Sequence, residues 1–273
     1  MKATINGINI DYRDEGAGLP VLFIHAFPLN QTMWDDQVAA LKNICRAITL
    51  DLRGFGGSDV PDGPYSMDQM AADVRELMKK LGIDRAVLVG LSMGGYISLA
   101  FYRDYPEAVS AMVLADTRAT LDTSEGRERR IKSAERVERE GARAIVDDMV
   151  PLALAAATVE HRPDIVERMR AMGEANSPKG IAAAQRGMAE RADSTALLSS
   201  MNFPVLIIVG SEDKLTPVAE AEALRSRIPN AGFHIIEGAG HLSNLERPDE
   251  FNAALIDFIR TLKEGSRLPR RSL

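Results

Sequence analysis

Short apolar runs alternate along this chain with longer stretches whose apolar positions recur at helical spacing. Near-continuous apolar runs separated by amphipathic helices predict a parallel sheet that is covered on both faces. Two strands are predicted in an N-terminal hairpin, Ala3–Ile5 and Ile8–Tyr12, joined by Asn6-Gly7, a pair that a tight turn favours. Six more are predicted at Pro20–His25, Arg46–Leu50, Ala86–Val89, Val109–Ala115, Val205–Val209 and Gly232–Ile236. Helices are predicted at Met33–Leu41, Met67–Leu81, Met93–Tyr105, Pro217–Arg227 and Pro248–Lys263.

Residues 121–201 break this alternation, because they show helical periodicity and little strand signal. Within them, Glu125–Glu140 carries dense opposite charges, as a solvated helix does. A helical insertion between two strands of a sheet predicts a lid over the site, and a helical decoration far from the chemistry is the alternative. We therefore expect an α/β core domain at residues 1–120 and 202–273, with a mostly parallel eight-stranded sheet, and a helical cap at residues 121–201.

Composition and charge exclude several classes of partner. The chain has 273 residues, a formal charge of −6 and a sequence pI near 5.4, which argues against a nucleic-acid-binding surface. The basic cluster Arg267–Arg271 is predicted to be a solvated tail. Cys45 is the one cysteine, which excludes an internal disulfide, and its apolar surroundings predict a buried thiol. With no signal-peptide pattern at the start and no apolar run of membrane-spanning length, we expect a soluble, cytoplasmic protein. The sequence does not decide between a monomer and a homodimer.

The string Gly90-Leu91-Ser92-Met93-Gly94-Gly95 lies between a predicted strand and a predicted helix. A serine flanked by glycines two positions away on either side, in that context, is typical of a nucleophile elbow. Glycine tolerates the backbone strain of so tight a turn. The helix behind the serine would aim backbone N–H groups at an oxyanion that forms there.

A serine hydroxyl needs a base, and the chain offers four histidines. His161 lies in the polar helical insertion and is predicted to be a surface residue. His234 lies inside a predicted strand and is predicted to be structural. His25 ends a strand and is interpreted as an organiser of the loop that follows. His241 comes after the last strand in a glycine-rich loop, so it is the predicted base.

The base needs a carboxylate to hold its tautomer. Asp213 follows the strand Val205–Val209 and lies at its carboxyl end, the edge where open parallel sheets place their sites. Its neighbour Glu212 is expected to point away, and Asp116, which also ends a strand, is the rival acid. The chain order of Ser92, Asp213 and His241 is the order that a nucleophile-elbow hydrolase uses.

Two backbone N–H groups are the predicted oxyanion donors. One belongs to Met93, the residue after the nucleophile. The other belongs to Phe27, in the loop His25-Ala26-Phe27-Pro28 after the strand Pro20–His25.

These motifs together resemble the α/β-hydrolase family over essentially the whole chain. His25-Ala26-Phe27-Pro28 resembles the HGxP loop of that family, and Asp51–Ser58 resembles its DxRGxGxS turn. Within the family the chain is most similar to the esterase and 3-oxoadipate enol-lactonase-like group, with non-haem haloperoxidases as neighbours. Ala26 stands where the family usually has glycine, which narrows the room beside the oxyanion.

The resemblance and the motifs imply a serine carboxylesterase for short- to medium-chain esters that works without cofactor or metal. A lactone hydrolase of the enol-lactonase type, a perhydrolase or haloperoxidase side activity, and a non-catalytic receptor on the same fold are the alternatives. An enol-lactonase needs a cation for its substrate carboxylate, and Arg118 is the candidate; a salt bridge of Arg118 with Asp116 or Asp122 is the competing interpretation. An apolar substrate pocket is expected, with candidate lining residues His25, Met149, Leu152, Leu154 and Met188.

Two other motif interpretations fail. Gly54–Asp59 resembles a dinucleotide-binding fingerprint, but Asp59 replaces its third glycine and no helix start follows. No phosphate-binding lysine follows Gly94-Gly95. The sequence therefore predicts neither a dinucleotide-binding fingerprint nor a phosphate-binding loop.

Overall fold

The computed structural model describes residues 1–265, and that part of the chain contains one eight-stranded sheet. The strands are β1 (Lys2–Ile5), β2 (Ile8–Gly16), β3 (Pro20–Ile24), β4 (Arg46–Leu50), β5 (Ala86–Leu91), β6 (Val109–Ala115), β7 (Val205–Gly210) and β8 (Gly232–Ile236). Their spatial order is β1-β2-β4-β3-β5-β6-β7-β8. Strand β2 runs antiparallel to β1 and β4, and all other neighbours are parallel. The predicted mostly parallel sheet is confirmed.

The hairpin is also confirmed, but its second strand is longer than predicted. β2 continues past Tyr12 to Gly16, because its second half pairs with β4, from Tyr12 opposite Leu50 to Gly16 opposite Arg46. The residues of that half are polar and partly exposed. Their lack of apolar alternation hid the strand from a pattern-based prediction.

Eleven α-helices are described in residues 1–265. They are α1 (Asp35–Leu41), α2 (Met67–Lys80), α3 (Met93–Asp104), α4 (Ser124–Glu140), α5 (Ala142–Ala153), α6 (Ala156–His161), α7 (Pro163–Glu174), α8 (Pro178–Ala189), α9 (Val218–Arg227), α10 (Ser243–Glu246) and α11 (Pro248–Gly265). Short 3-10 segments lie at Gln31–Trp34, Pro106–Ala108 and Thr195–Ser200. The first predicted helix therefore begins as a 3-10 turn and becomes α-helical only at Asp35.

The sheet is covered on both faces, as the near-continuous apolar strands predict. Successive side chains of β3 point to opposite faces, so Leu22 and Ile24 join one apolar cluster while Val21 and Phe23 join another. The first cluster takes in the buried sides of α2, α3 and α9, and the second takes in those of α1 and α11. Burial of these two apolar layers, at about 25 cal/mol per Å² removed from water, drives the association of helices with the sheet.

Residues 121–201 contain α4 to α8 and lie between β6 and β7 in the chain. Helix α4 packs on α8, and α5 packs on α7. None of the helices in residues 1–265 combines the length and apolar character that a membrane crossing requires. Cys45 is fully buried just before β4, which confirms the predicted buried thiol, while the basic cluster Arg267–Arg271 lies outside the described residues.

Candidate active site

Ser92 occupies the sharp turn between β5 and α3 with a φ of 55°. This left-handed conformation is strained for a residue with a side chain. The turn has no room for side chains on either flank: a Cβ on Gly90 would meet the carbonyl oxygen of Gly94, and one on Gly94 would meet that of Ile24. The spacing of glycine and serine in the sequence therefore follows from the close approach of the strand, turn and helix backbones.

A continuous chain of hydrogen bonds joins Ser92, His241 and Asp213. The Ser92 Oγ lies 2.7 Å from the His241 Nε2. On the other side of the ring, the His241 Nδ1 lies 2.8 Å from the Asp213 Oδ2. The three residues follow β5, β7 and β8, so the parallel order of these strands brings distant parts of the chain together at the carboxyl edge of the sheet. In this arrangement the imidazole can take a proton from the serine while the carboxylate holds the ring in place.

The surroundings of Asp213 keep its carboxylate charged. Burial alone would raise its pKa, but His241 and hydrogen bonds from Thr216 outweigh that effect, so the pKa lies below its ordinary value. The Oδ1 accepts from the backbone N–H groups of Leu215 and Thr216 at 2.8 and 2.9 Å, and the Oδ2 accepts from the Thr216 hydroxyl at 2.7 Å. Asp213 is therefore held in one orientation and in its anionic form.

The rival carboxyl groups lie elsewhere. Glu212 is exposed. Asp116 is fully buried, and it accepts hydrogen bonds from the Gly210 N–H at 2.8 Å and the Ser243 hydroxyl at 2.5 Å. Burial and the nearby Asp213 raise the pKa of Asp116 well above its ordinary value. Asp116 thus ties the end of β7 to α10, whereas Asp213 makes the contact with His241.

The remaining histidines do not join this chain of hydrogen bonds. His161 is exposed on α6, as predicted for a surface residue. His234 on β8 is partly exposed and lies 3.4 Å from Glu250. The position of His25 corrects the expectation that it lines a substrate pocket: it is fully buried, its Nδ1 donates to the Ala26 carbonyl at 3.0 Å, and its Nε2 accepts from the Leu52 N–H at 3.1 Å. Both ring nitrogens are occupied by backbone groups, so His25 links two loops.

The two predicted oxyanion donors belong to residues that follow neighbouring strands, β5 and β3. Met93 is the first residue of α3, and N–H groups in the first turn of a helix have no acceptor within that helix. Phe27 follows the end of β3, the strand that pairs with β5, and it lines the cavity beside Ser92. That their backbone N–H groups bind an oxyanion beside the Ser92 hydroxyl stays a prediction.

A cavity of about 390 Å³ opens beside Ser92 and His241. Met149 from α5 and Met188 from α8 line it, as expected from the sequence. Leu152 and Leu154 do not line it, which corrects the prediction. Leu152 is 44% exposed, and Leu154 is fully buried in the apolar cluster beneath α5. The buried stripe of α5 includes Val150 and Ala153, so Leu152 lies outside it.

The expected apolar character of this cavity holds only in part, because cationic residues, called the cationic wall below, share its lining with Met149 and Met188. Four cationic residues and a single carboxylate, Asp122, line the cavity; the cationic ones are Arg118, Arg129, Arg130 and Lys214. Asp122 accepts from Arg118 at 2.7 Å and from Arg130 at 2.5 Å, and the salt-bridge interpretation of Arg118 is therefore confirmed.

Behind this wall, Arg191 contacts the same carboxylate with both of its terminal nitrogens, at 2.7 and 2.9 Å. Sequence reasoning found Arg118 but missed Arg130 and Arg191. Arg118 and Asp122 are four positions apart, which is a local sign of an ion pair. Arg191 lies 69 residues beyond Asp122, so no local pattern indicates its contact. We refer to Arg118, Arg130, Arg191 and Asp122 together as the arginine cluster.

Comparison with known proteins identifies the family to which this fold belongs. The chain is 41% identical to a thermophilic esterase from Thermogutta terrifontis, solved with malate bound, and matches it over 96% of this chain and 98% of that one with a TM-score of 0.93. It is 32% identical to 3-oxoadipate enol-lactonase 2 of Acinetobacter baylyi over 92% of this chain and 93% of the relative. The enol-lactonase structure from Burkholderia xenovorans LB400 is 30% identical, with a TM-score of 0.89 over 95% of this chain and 100% of the other. Residues 20–248 match the family model of the alpha/beta hydrolase fold, and the chain belongs to that hydrolase family.

Proposed function

We propose that this hydrolase is a serine carboxylesterase, with Ser92 as nucleophile, His241 as general base and acid, and Asp213 as the carboxylate that orients the base. The hydrogen-bonded chain from the Ser92 Oγ through both nitrogens of His241 to Asp213 is the observation that carries the proposal. Similarity to an esterase of 41% identity supports the ester as the substrate class.

The reaction proceeds in two acyl-transfer steps. The Ser92 Oγ attacks the ester carbonyl while its proton moves to the His241 Nε2, and the N–H groups of Phe27 and Met93 stabilise the oxyanion. The tetrahedral intermediate collapses as His241 returns the proton to the leaving alcohol. Water then gives a proton to His241 and attacks the acyl-enzyme, and the acid leaves as Ser92 regains its proton.

The helices of residues 121–201 act in this proposal as a cap on the core domain formed by residues 1–120 and 202–265. The position of the cavity supports this role, because both parts of the chain line it. Ser92 and His241 come from the core, and Met149 and Met188 come from the helical segment. Such a cap shields the acyl-enzyme and selects the acyl group.

The test of esterase activity compares Ser92→Ala with Ser226→Ala on p-nitrophenyl esters from acetate to decanoate. Ser226 is an exposed serine of α9 whose hydroxyl bonds within its own helix, so it is a matched control. We expect Ser92→Ala to lower kcat by roughly 10⁴-fold or more and to abolish labelling by a fluorophosphonate. Retention of more than a few per cent of activity by Ser92→Ala, with the control at wild-type level, would show that another group is the nucleophile.

A second candidate function, hydrolysis of esters or lactones that carry a carboxylate, is favoured by the cationic wall of the cavity. Four cationic residues and one carboxylate line the cavity, so a net positive charge remains for an anionic group of the substrate. The similar enol-lactonases and the malate in the similar esterase agree with an acidic ligand.

The discriminating substrates are p-nitrophenyl valerate and p-nitrophenyl hydrogen glutarate, which share a leaving group and differ by a terminal carboxylate. Arg129→Gln removes an exposed cation from the cavity lining, and Arg127→Gln removes a cation of the same helix that pairs with Glu190 instead. We expect Arg129→Gln to lower kcat/KM for the glutarate ester by about 2- to 5-fold and to leave the valerate unchanged, as for a solvent-screened charge pair. An equal effect of both variants on both esters would exclude a carboxylate subsite at Arg129.

A further inference from the structure

A second buried carboxylate, that of Glu246 on α10, joins the loop of His241 to the helical cap. The residue is only 1% exposed. Its Oε1 accepts a hydrogen bond from the Gly240 N–H at 2.7 Å, and its Oε2 accepts one from the Ala155 N–H at 2.9 Å. Gly240 directly precedes His241, whereas Ala155 lies between α5 and α6, so one side chain spans two separate parts of the fold.

The turn between α5 and α6, residues 153–155, contacts the His241 loop at further points. The Leu242 N–H donates to the Ala153 carbonyl at 3.2 Å. A Cβ on Gly240 would come within 2.7 Å of the Ala155 nitrogen, so the two backbones touch without an intervening side chain. The residue before His241 and the residue after it are therefore both fixed to the same turn of the cap.

We propose that Glu246 is a positioning residue, which holds the His241 loop against the α5–α6 turn and thereby makes the base and the cap move as one unit. This inference rests on the proposed function, because it assigns to His241 the role of base. Glu246 does not line the cavity beside Ser92 and His241. It therefore acts through the backbone of Gly240 and not through contact with a substrate.

Only a carboxylate meets the demand at this position. Two backbone N–H donors face the side chain from different segments, and each takes its own oxygen. A glutamine has one acceptor oxygen, so its NH₂ group would face the second N–H donor and that contact would be lost. Burial raises the pKa of the Glu246 carboxyl, while the Thr158 side chain, the N–H groups of Ala155 and Gly240 and the charge of Arg247 act in the opposite direction.

The kinetic test compares Glu246→Gln with Glu250→Gln, a partly exposed carboxylate of α11 that contacts His234 and lies outside the site. Turnover is expressed per active site, titrated to completion with a fluorophosphonate. We expect Glu246→Gln to lower kcat by about 10- to 100-fold, the scale of a displacement of about 1 Å in a reacting group, with KM within threefold of wild type. A purely structural role would lower the number of titrated sites and leave kcat per site at the wild-type value, and that outcome would overturn the proposal.

Residue-resolved amide exchange by NMR tests the bridge without using activity. In Glu246→Gln the amides of Ala155 and Gly240 should exchange faster together, whereas Glu250→Gln should leave both unchanged. Wild-type exchange at both amides in Glu246→Gln would overturn the bridge even if Ser92→Ala is inactive. An active Ser92→Ala enzyme would instead remove the proposed function and leave the exchange result standing. If Glu246→Gln does not fold, Glu246→Asp, which is one methylene too short to reach both donors, carries the same two measurements.

Discussion

Replacing Asp122 by asparagine tests whether the arginine cluster stabilises the fold. The carboxylate of Asp122 is only 4% exposed, and it accepts from Arg118, Arg130 and Arg191. The amide in Asp122→Asn keeps the size of the side chain, but it removes the negative charge and turns one acceptor into a donor that faces guanidinium groups. The variant therefore leaves three positive charges together at the junction of the β6 end and the helical segment.

The magnitude depends chiefly on Arg191, whose side chain is 4% exposed, because those of Arg118 and Arg130 are 24% and 20% exposed and partly solvated. Removal of one partner from a buried ion pair costs about 3–5 kcal/mol. The partly exposed pairs add at most about 1 kcal/mol each. We therefore expect Asp122→Asn to lower the free energy of unfolding by about 4 kcal/mol, which corresponds to a Tm lower by about 10 °C for a chain of this size.

The pH dependence of this loss follows from the pKa of Asp122. Burial alone would raise that pKa, but the hydrogen bonds and charges of Arg191 and Arg130 lower it far below its ordinary value. A carboxyl group whose pKa is lower in the folded state contributes stability above its unfolded pKa, near 3.9, and loses it as the pH falls through the folded pKa. The difference in stability between wild type and Asp122→Asn should thus be constant from about pH 8 to pH 5 and shrink below about pH 4.

Urea unfolding measures the difference with two independent signals. Trp34 is the sole tryptophan and is fully buried in the core, so its fluorescence reports the sheet region, while far-UV circular dichroism reports all helices. Asp164→Asn is the control, because Asp164 pairs with Arg162 at the exposed start of α7 and its loss should leave the stability close to that of wild type. A loss below 1 kcal/mol in Asp122→Asn at pH 7, or a difference that persists unchanged at pH 3, would refute the reasoning.

Two further predictions concern the triad and the thiol. Asp213→Asn should lower kcat by about 10⁴-fold with little change in KM, because an asparagine in that position favours the wrong tautomer of His241. Steady-state kinetics on a p-nitrophenyl ester measure the two constants. A loss of kcat below tenfold would exclude Asp213 as the orienting acid. Burial raises the pKa of the Cys45 thiol to about 11, so the folded protein should not react with a disulfide reagent at pH 8 and should release one equivalent of product in urea. Rapid reaction of the folded protein would contradict the buried placement.

The sheet and the Ser92–His241–Asp213 arrangement could be predicted because local patterns and topology determine them. Near-continuous apolar runs identify buried parallel strands, and the carboxyl ends of those strands meet at one edge whatever their distance in the chain. The glycines around Ser92 mark the tight turn directly in the sequence. Asp213 and Asp116 both end a strand and both lie between Ser92 and His241 in the chain, so chain order does not separate them. The structure separates them by contact, since Asp213 reaches His241 and Asp116 bonds to Gly210 and Ser243.

The character of the cavity could not be predicted, because it depends on side chains that meet only after the helical segment has packed. Helical spacing on α5 does not separate Met149, which lines the cavity, from Leu152, which is exposed, since residues three apart share a side of a helix. The cationic wall needs Arg130 from α4 beside Arg118 after β6, and no periodicity in the sequence connects them.

The burial of Glu246 is a second feature that the sequence does not predict. It directly precedes Arg247 and the predicted helix start at Pro248, and no pattern in the sequence marks it as buried. The structure buries it because Gly240 and Ala155 each present an N–H group that would otherwise have no acceptor in an apolar region. A buried backbone donor without a partner costs about 1–3 kcal/mol, so a charged side chain that meets two of them offsets part of its own desolvation. The hydrogen bonds from the two backbone N–H groups, and not the polarity of the local sequence, therefore determine where this carboxylate lies.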